Sequence, residues 1–444
     1  MLSENKKINK DNLTKVLPGF MELLPAEQIL FEDFKTKIKS SYENFGFIPL
    51  DTTVIEKSEA LLAKAGGETE KQIYRFNKGD NDLSLRFDLT VPLARYVAEH
   101  FNELDFPFRR YAIGKVYRAE KPQRGRFREL YQCDIDIIGK DSLSLVNDAE
   151  ILSIIYSTFE FLSLKDITIR INNRKILNGF FEEYNLSKIS VDILRIIDKI
   201  EKITKEEFVK ELESLKIKKD IVNKILDFIK IKGDNDSIIK NLKSLKIKNE
   251  TFLLGIDELS KVLDYSKSFN IPKNVVGVDL SIARGLDYYT GTVYETKLNK
   301  YPQFGSVCSG GRYDDLAGCY TSQKLPGVGA SIGLTRLFDQ LLNNNAIELK
   351  QATTSKVVIV SMVDDISHSL ELASKLRENN INTEVYLEDV KFKKKLEYAN
   401  KLKIPYIVII GEDEINEKVF ALKNMNTGVQ KKLNLKDLIK TLKD

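Results

Sequence analysis

The chain of 444 residues has few of the side chains that build metal centres, disulfide frameworks and catalytic triads. It contains two histidines, His100 and His368, and three cysteines, Cys133, Cys308 and Cys319, none of them in a CxxC arrangement. These counts exclude a cysteine-ligated zinc site and a disulfide framework, and they nearly exclude a Ser-His-Asp triad. Isolated cysteines are typical of proteins in a reducing cytosol, so a cytoplasmic location is expected.

Long apolar runs and a strong net charge are also absent. No run of 18 apolar residues occurs and the N-terminus is polar, so neither a membrane span nor a secretory signal is expected. The net charge is only +4, so a nucleic-acid partner would have to bind a local basic patch. A chain of this length is expected to fold into two or three domains.

Hydrophobic periodicity divides the first 342 residues into three parts. Residues 26–45 and 143–162 have helical spacing, and short apolar stretches between turns predict strands from 47 to 138. Residues 187–262 are rich in lysine, isoleucine and glutamate with helical periodicity, which predicts a helical insertion. Strand-like sequence resumes at residue 275.

The C-terminal hundred residues have a pattern of their own. Residues 343–355 are polar and predict a linker, and residues 356–444 alternate in the order β-α-β-α-β, which predicts a small α/β domain. Lysines cluster at the start of the second helix of this domain: Lys391, Lys393, Lys394 and Lys395. They could neutralise phosphates, although a solvated helix face explains any one of them equally well.

The first stretch with unusual chemistry is LRFDLT, residues 85–90. On a strand, Asp88 and Thr90 would share one face, because side chains alternate. A carboxylate and a hydroxyl in this arrangement can bind an ammonium group. A solvated strand face is an equally good interpretation of the stretch taken alone.

The second stretch is VYRAEKPQRGRFRELYQCDID, residues 116–136, which predicts two strands joined by a loop rich in cations. The cations in and around the loop are Arg118, Lys121, Arg124, Arg126 and Arg128. Guanidinium groups bind phosphate bidentately, so the loop suits a polyphosphate, with an exposed basic hairpin as the alternative. On the return strand Gln132, Asp134 and Asp136 alternate onto one face, which favours a binding site because buried acids need partners.

Two further stretches combine glycine with charged or aromatic residues. SIARGLDYYTGTVYE (281–295) has Arg284, Asp287, Tyr288 and Tyr289 ahead of a predicted strand. GGRYDDL (310–316) and GASIGLTR (329–336) contain glycines that permit close backbone approach, and Arg336 begins a predicted helix. Neither a GxxxxGK[ST] loop nor a GxGxxG after a strand occurs, so arginines are the visible candidates for nucleotide binding.

In their order along the chain these motifs resemble those of histidyl-tRNA synthetases, a family of class II aminoacyl-tRNA synthetases. The arginine hairpin is similar to class II motif 2, GASIGLTR to motif 3, and RGLDYY to the stretch that separates the histidine enzymes from other class II members. KFKKKLEYANKLKIPYIVIIGEDE resembles the anticodon-binding domain of the family, so the resemblance covers nearly the whole chain.

The resemblance implies an α+β catalytic domain over residues 1–342, with an antiparallel sheet flanked by helices and the helical insertion at 187–262. The C-terminal α/β domain over 356–444 would bind the anticodon. The implied reaction joins L-histidine and ATP into histidyl-adenylate with release of pyrophosphate, and the histidyl group then passes to the 3′ end of tRNA(His). Mg²⁺ is expected with ATP, and a homodimer is implied. In GFIPLDTTVIE (46–56), Thr53 stands where motif 1 usually has proline, which leaves the interface detail open.

The resemblance also assigns candidate site residues. Four arginines would contact ATP, with the first and third also catalytic near the α-phosphate: Arg118, Arg126, Arg284 and Arg336. Side chains and backbone that would bind L-histidine are Asp88, Leu89, Thr90, Gln132, Asp136, Tyr288 and Tyr289. Among them Asp136 would accept the ring N–H and Tyr289, beside Tyr288, would serve the other ring nitrogen. Asp287 has no clear role beyond orienting Arg284.

Three alternatives compete with a histidine enzyme. A regulatory subunit of ATP phosphoribosyltransferase would share the fold but generally lacks the C-terminal domain and an intact RGLDYY, both of which are present. A class II synthetase for another amino acid would not need Asp136 and the two adjacent tyrosines. A tRNA-binding or scaffolding protein would have no need for four arginines directed at phosphates.

Overall fold

The computed structural model describes residues 13–63, 68–121, 125–200, 203–282 and 288–443, with backbone alone at 68 and 69. The chain divides into two compact units, Met1–Met21 with Phe34–Asn344 and Glu22–Asp33 with Asn345–Asp444. No helix in the described residues is both long enough and apolar enough to cross a membrane.

The strands described in the first unit include the one that contains Gln132 and Asp136. They are β1 (Ile48–Pro49), β2 (Ile55–Lys57), β3 (Arg75–Lys78), β4 (Asn81–Leu85), β5 (Phe108–Tyr117), β6 (Glu129–Ile138), β7 (Ile167–Asn173), β8 (Val276–Val278), β9 (Thr292–Leu298), β10 (Ser306–Tyr313) and β11 (Gly327–Gly333). Of these, eight form one sheet in the order β1-β5-β6-β11-β10-β9-β7-β8, and β2, β4 and β3 form a small second sheet.

The large sheet is antiparallel in its centre and parallel at both edges. Strands β5, β6, β11, β10, β9 and β7 pair antiparallel, whereas β1 pairs parallel with β5 and β8 pairs parallel with β7. The predicted antiparallel sheet is confirmed in the six central strands, and each edge adds one short strand that pairs parallel. The edge strands are only two and three residues long, so turn and pairing signals in the sequence are weak there.

Helices precede, separate and follow these strands along the chain up to residue 343, and the first of them spans both units. Those described are α1 (Pro25–Asn44), α2 (Ser58–Leu62), α3 (Glu68–Gln72), α4 (Thr90–Glu99), α5 (Val146–Phe161), α6 (Arg174–Glu183), α7 (Ser190–Ile197), α8 (Lys205–Ser214), α9 (Lys219–Ile229), α10 (Asn235–Ser244), α11 (Glu250–Ser268) and α12 (Leu334–Asn343). The predicted helices at 26–45 and 143–162 correspond to α1 and α5, since helical apolar spacing on a long segment is a strong signal.

The segment predicted as a helical insertion consists of helices α7 to α11. Its predicted apolar faces are buried, with Ile193 and Ile197 in α7 and Val222 and Ile225 in α9 all inaccessible to solvent. Side-chain caps begin several of these helices, as at Thr204, whose hydroxyl accepts a hydrogen bond from the Glu207 N–H at 3.2 Å. Because α11 continues to Ser268, the helical region extends beyond the predicted end at residue 262.

The second unit contains a sheet of its own. Its described strands are β12 (Val357–Ser361), β13 (Thr383–Tyr386), β14 (Tyr406–Ile410), β15 (Phe420–Asn424) and β16 (Gln430–Leu433). Its helices beyond residue 345 are α13 (Ser367–Glu378), α14 (Phe392–Lys401), α15 (Glu412–Glu417) and α16 (Leu435–Lys443). The β-α-β-α-β pattern gives the parallel strands β13-β12-β14, and β15 and β16 extend the sheet antiparallel.

Candidate functional site

The return strand β6 presents three polar side chains between two other strands. Gln132, Asp134 and Asp136 pair with Gly114, Ala112 and Arg110 of β5 on one side, and with Gly333, Ser331 and Gly329 of β11 on the other. The residues between them, Cys133 and Ile135, are buried. The alternation predicted for β6 therefore brings an amide and two carboxylates onto one face in the middle of the sheet.

Asp136 is buried between a phenol and a guanidinium. It is 3% exposed, the Tyr313 hydroxyl donates to Oδ1 at 2.8 Å, and Arg110 Nη2 lies 2.7 Å from Oδ2. Burial raises its pKa to about 6 against the opposing attraction of Arg110. Gly329 leaves the space, because a Cβ there would lie 2.3 Å from Asp136 Oδ1.

Asp134 and Asp88 complete a group of three buried acids around Arg110. Burial raises the pKa of Asp134 to about 7, with Arg110 opposing and Asp136 adding to the shift. Burial also raises the pKa of Asp88, although backbone N–H groups and Arg118 stabilise its ionised form. We call Asp88, Asp134, Asp136, Arg110 and Tyr313 the carboxylate cluster. Three acids this close favour binding of a cationic ligand.

Asp88 and Thr90 are not on a strand, contrary to the prediction. Strand β4 ends at Leu85 and α4 begins at Thr90, so Asp88 lies in the connection between them. Its Oδ1 accepts hydrogen bonds from the N–H groups of Thr90 and Val91, at 3.2 and 2.9 Å. The carboxylate thus accepts hydrogen bonds from N–H groups that have no partner within the helix. This use of an aspartate at a helix N-terminus outweighs the strand pattern of the sequence.

Two tyrosines from the chain before β9 lie against the carboxylate cluster. The rings of Tyr288 and Tyr289 are 5.0 Å apart, and Tyr288 is 5.8 Å from the ring of Tyr313. The Tyr288 hydroxyl interacts with the side chain of Thr90. Burial raises the pKa of both phenols well above its ordinary value, and nearby Asp136 adds to the shift, so both remain protonated donors.

Arg118 and Gln132 connect the cluster to the basic loop. Arg118 Nη2 donates to Gln132 Oε1 at 3.3 Å, and Gln132 Nε2 donates to Ser331 Oγ at 2.9 Å. Leu89 is buried against Ala112 and its carbonyl accepts from Arg110 Nη2 at 2.9 Å. The structure thus gives Leu89 a packing role through its side chain and a polar contact through its backbone.

Two of the other predicted arginines line a separate cavity of about 300 Å³, which we call the arginine cavity. Arg126 and Arg336 both reach it, together with Glu295, Lys297 and Asp198. Arg126 is exposed and lies 3.6 Å from Glu120, whereas Arg336 Nη2 donates to the Phe304 carbonyl at 2.7 Å.

Helix α12 begins at Leu334, two residues before Arg336, so Arg336 lies in the first turn of the predicted helix. Ser281 and Ile282 also line the arginine cavity. The next residues of the chain include Arg284 and Asp287, and both predictions fall outside the described residues, as does Arg124.

Two members of the cluster were not predicted from the sequence. Arg110 stands beside Arg109 in FRRYAIG, and only the strand register shows that Arg110 turns towards Asp136 while Arg109 pairs with Glu150. Tyr313 follows Gly-Gly-Arg in β10 and points back to β6. A cation on an otherwise apolar face of a strand was the available signal for Arg110.

A central antiparallel sheet with arginines directed at one cavity and a separate α/β unit defines a class II aminoacyl-tRNA synthetase. A sequence model of the histidyl-tRNA synthetase family matches residues 19–337, and one for the anticodon-binding domain matches residues 356–444. The chain belongs to the histidyl-tRNA synthetase family.

Relatives and solved structures agree with this assignment. The histidine–tRNA ligase of Clostridium tetani is 60% identical over 97% of this chain and 98% of its own length. The crystal structure of histidyl-tRNA synthetase from Nostoc sp. PCC 7120 is 39% identical with a TM-score of 0.89, covering 97% of this chain and 99% of that one. An ATP phosphoribosyltransferase regulatory subunit/histidyl-tRNA synthetase from Bacillus halodurans, 19% identical with a TM-score of 0.75 over 90% of this chain and 98% of that one, shares the fold.

Proposed function

We propose that this member of the histidyl-tRNA synthetase family binds L-histidine at the carboxylate cluster and ATP at the arginine cavity. Histidine–tRNA ligase activity converts the two substrates into histidyl-adenylate and pyrophosphate, and then esterifies tRNA(His) with histidine. The observation that carries the assignment of the site is the buried Asp136, fixed between Tyr313 and Arg110 and beside two protonated phenols.

A neutral imidazole matches these groups. Its N–H requires an acceptor, which Asp136 supplies, and its bare nitrogen requires a donor, which the Tyr289 hydroxyl can supply with Tyr288 beside it. An amino acid without ring nitrogens would leave these buried groups unpaired. Sites of this kind discriminate by about 10⁴–10⁵ without an editing step.

The ammonium group of histidine is assigned to the acceptors at the other end of the cluster. Asp88 carries its charge next to Thr90, and Gln132 Oε1 already accepts from Arg118. Leu89 contributes by shaping the backbone between Asp88 and Thr90. Arg118, at the junction with the basic loop, is the group best placed to receive the substrate carboxylate and the α-phosphate.

The chemistry of activation needs charge neutralisation more than a base. A carboxylate oxygen of histidine attacks the α-phosphorus, the bond from that phosphorus to the bridging oxygen breaks, and pyrophosphate leaves with both electrons. Arg126 and Arg336, which share the arginine cavity, would bind the β- and γ-phosphates. Arg284 is assigned to the α-phosphate from the sequence.

Mg²⁺ would enter with ATP. The described residues contain no group of three or more His, Cys, Asp or Glu arranged for a metal ion. This fits Mg²⁺, which is usually held by substrate phosphates, water and one or two carboxylates. Glu295, in the arginine cavity, would supply such an oxygen, and the ion would neutralise charge on the triphosphate. Loss of exchange activity on chelation, with recovery on adding Mg²⁺, tests this.

The anticodon-binding domain offers a basic surface for tRNA(His). Lys391, Lys393 and Lys394 are exposed at the start of α14, whereas Lys395 is half-buried and donates to the Ser361 carbonyl at 2.9 Å. Cations at a helix N-terminus oppose the helix dipole, so binding of phosphate is a reason for their position. Replacing the three exposed lysines by glutamine should raise the KM for tRNA several-fold and leave pyrophosphate exchange unchanged. Lys401→Gln, at the other end of α14, is the control.

A homodimer in the cytoplasm completes the proposal. Apolar side chains are exposed at and after the edge strand β1, among them Ile48, Val54 and Ile55, as expected at a subunit interface. Thr53 is exposed between them and donates to Glu56 Oε1 at 2.7 Å. A solution mass of twice 50.8 kDa would support the dimer, and a mass of one chain would contradict it. Cell fractionation tests the location.

One assay tests the activity directly. ATP–pyrophosphate exchange should be measured with the full-length protein and each of the twenty amino acids in turn. Exchange with histidine alone is the expected result, because only imidazole pairs with both Asp136 and a phenol. Exchange with another amino acid, or with none, would overturn the proposal.

A further inference from the structure

Arg110 is an unusual residue for the centre of a sheet. Its side chain is 1% exposed, yet its Nε and Nη1 have no hydrogen-bond partner within the described residues. Only Nη2 is engaged, 2.9 Å from the Leu89 carbonyl and 2.7 Å from Asp136 Oδ2. Burial of a guanidinium with two nitrogens that make no hydrogen bond destabilises the fold unless a nearby negative charge compensates.

The charges around Arg110 are strongly unbalanced. Asp136 lies directly opposite on β6, Asp134 lies two residues earlier on that strand, and Asp88 lies ahead of α4. All three carboxylates are buried, and the charge of Arg110 acts on each of them. Without Arg110 the cluster would contain three acids and no cation of its own, with Arg118 at its margin.

The contacts of Asp136 show what Arg110 contributes. Tyr313 donates to Oδ1, Arg110 Nη2 lies 2.7 Å from Oδ2 as an ion pair without hydrogen-bond geometry, and the paired strands fix the main chain, so the plane of the carboxylate has little freedom. Oδ2 accepts no hydrogen bond within the described residues, so it can accept one from a ligand N–H. An ionised acceptor that is held in one orientation binds a ring N–H in preference to a water or a hydroxyl.

We propose that Arg110 is a positioning residue for substrate specificity, which keeps Asp136 ionised and oriented towards the imidazole of histidine. This inference rests on the proposed binding of histidine at the carboxylate cluster. Arg110 would contact no substrate, but through Asp136 it would determine which amino-acid side chain is bound. A structural role alone would require only that Arg110 support the sheet.

The test compares Arg110 with its neighbour on the same strand. Arg109 faces away, is partly buried and pairs with Glu150 at 2.9 Å, so Arg109→Met removes an arginine ion pair of similar kind without touching Asp136. Arg110→Met, Arg110→Lys and Arg109→Met are made in the full chain. Pyrophosphate exchange is measured from pH 5.5 to 8.5, with separate KM values for histidine and ATP.

Arg110→Met should lower kcat/KM for histidine about 100-fold at pH 7, with the KM for ATP within about twofold of wild type. The acid limb of the profile should move to higher pH by about one unit, because Asp136 keeps its proton longer without the cation. Arg110→Lys should recover about tenfold, since it restores the charge but not the simultaneous contact of Nη2 with the Leu89 carbonyl and Asp136. Arg109→Met should change neither measurement.

The groups that face Asp136 and contribute to the same profile are Arg110, Asp88, Asp134, Tyr288, Tyr289 and Tyr313. An unchanged histidine KM and acid limb in folded Arg110→Met would overturn the inference while leaving histidine activation by wild type intact. If Arg110→Met does not fold, Arg110→Met/Asp134→Asn keeps the buried charge balanced. The same loss for histidine is then expected, and recovery of wild-type KM would show a structural role only.

Discussion

The carboxylate cluster and the arginine cavity differ in burial and in how firmly their side chains are held. The acids of the cluster are almost fully buried, with backbones fixed by paired strands and orientation set by Tyr313 and Arg110. In the cavity the Arg126 side chain is 56% exposed and its ion-pair distance to Glu120 is 3.6 Å. Selection of a neutral ring requires hydrogen-bonding partners that are fixed and desolvated. A polyphosphate, by contrast, can be bound by exposed and mobile arginines through charge alone.

A single substitution in the carboxylate cluster should therefore weaken substrate binding more than a single substitution in the arginine cavity. Asp136→Asn keeps the shape of the side chain but replaces one acceptor oxygen by an N–H₂ donor. We expect the KM for histidine to rise about 100- to 1,000-fold while the KM for ATP stays within about twofold. Exchange kinetics with each substrate varied in turn measure both values.

A second buried aspartate controls for loss of a charge in the sheet. Asp148 is fully buried and pairs with Arg312, away from the carboxylate cluster. Asp148→Asn should lower stability without altering the ratio of the two KM values. An equal rise in both KM values for Asp136→Asn would show that Asp136 supports the sheet and does not recognise the ring.

The arginine cavity should show a smaller loss and the opposite selectivity. Arg336→Gln should raise the KM for ATP about 10- to 30-fold, because one charge-assisted contact of several is lost. The KM for histidine should change less than about twofold. Arg195, an exposed arginine on α7, is the matched control, since only the C-terminal end of α7 reaches the cavity. A larger effect on histidine than on ATP would contradict the assignment of this cavity to phosphate.

The direction of a side chain on its own strand could be predicted from the sequence, whereas its partners on other strands could not. Alternation on β6 predicted that Gln132, Asp134 and Asp136 share a face, because side-chain direction in a strand depends on local position alone. The partners of these residues depend on register between strands far apart in sequence. Arg110 and Tyr313 are 26 and 177 residues from Asp136, and no periodicity specifies such pairs. Asp88 and Thr90 were misplaced on a strand because helix capping is a competing use of the same side chain.

The smallest expected effect concerns stability and not activity. Asp134 has a pKa of about 7 in the folded chain and an ordinary value of 3.8, so the folded state holds this proton more tightly. Stability from this group is therefore complete below about pH 4 and is lost as pH rises through about 7. Asp134→Asn removes that loss and should raise the unfolding midpoint by about 2–4 °C more at pH 8 than at pH 5.

Asp82 provides a control with the opposite sign. Its pKa is lowered by a hydrogen bond from Arg75, so its contribution to stability is present above its ordinary pKa and is lost as the pH falls. The Asp82 side chain is 41% exposed, so Asp82→Asn should have only a small effect, and a destabilising one, at both pH 5 and pH 8. Thermal unfolding followed by circular dichroism at the two pH values measures all four differences. If Asp134→Asn shifts the unfolding midpoint by the same amount at pH 5 and pH 8, the Asp134 carboxyl is ionised at both pH values. Arg110 would then neutralise Asp134 as well as Asp136.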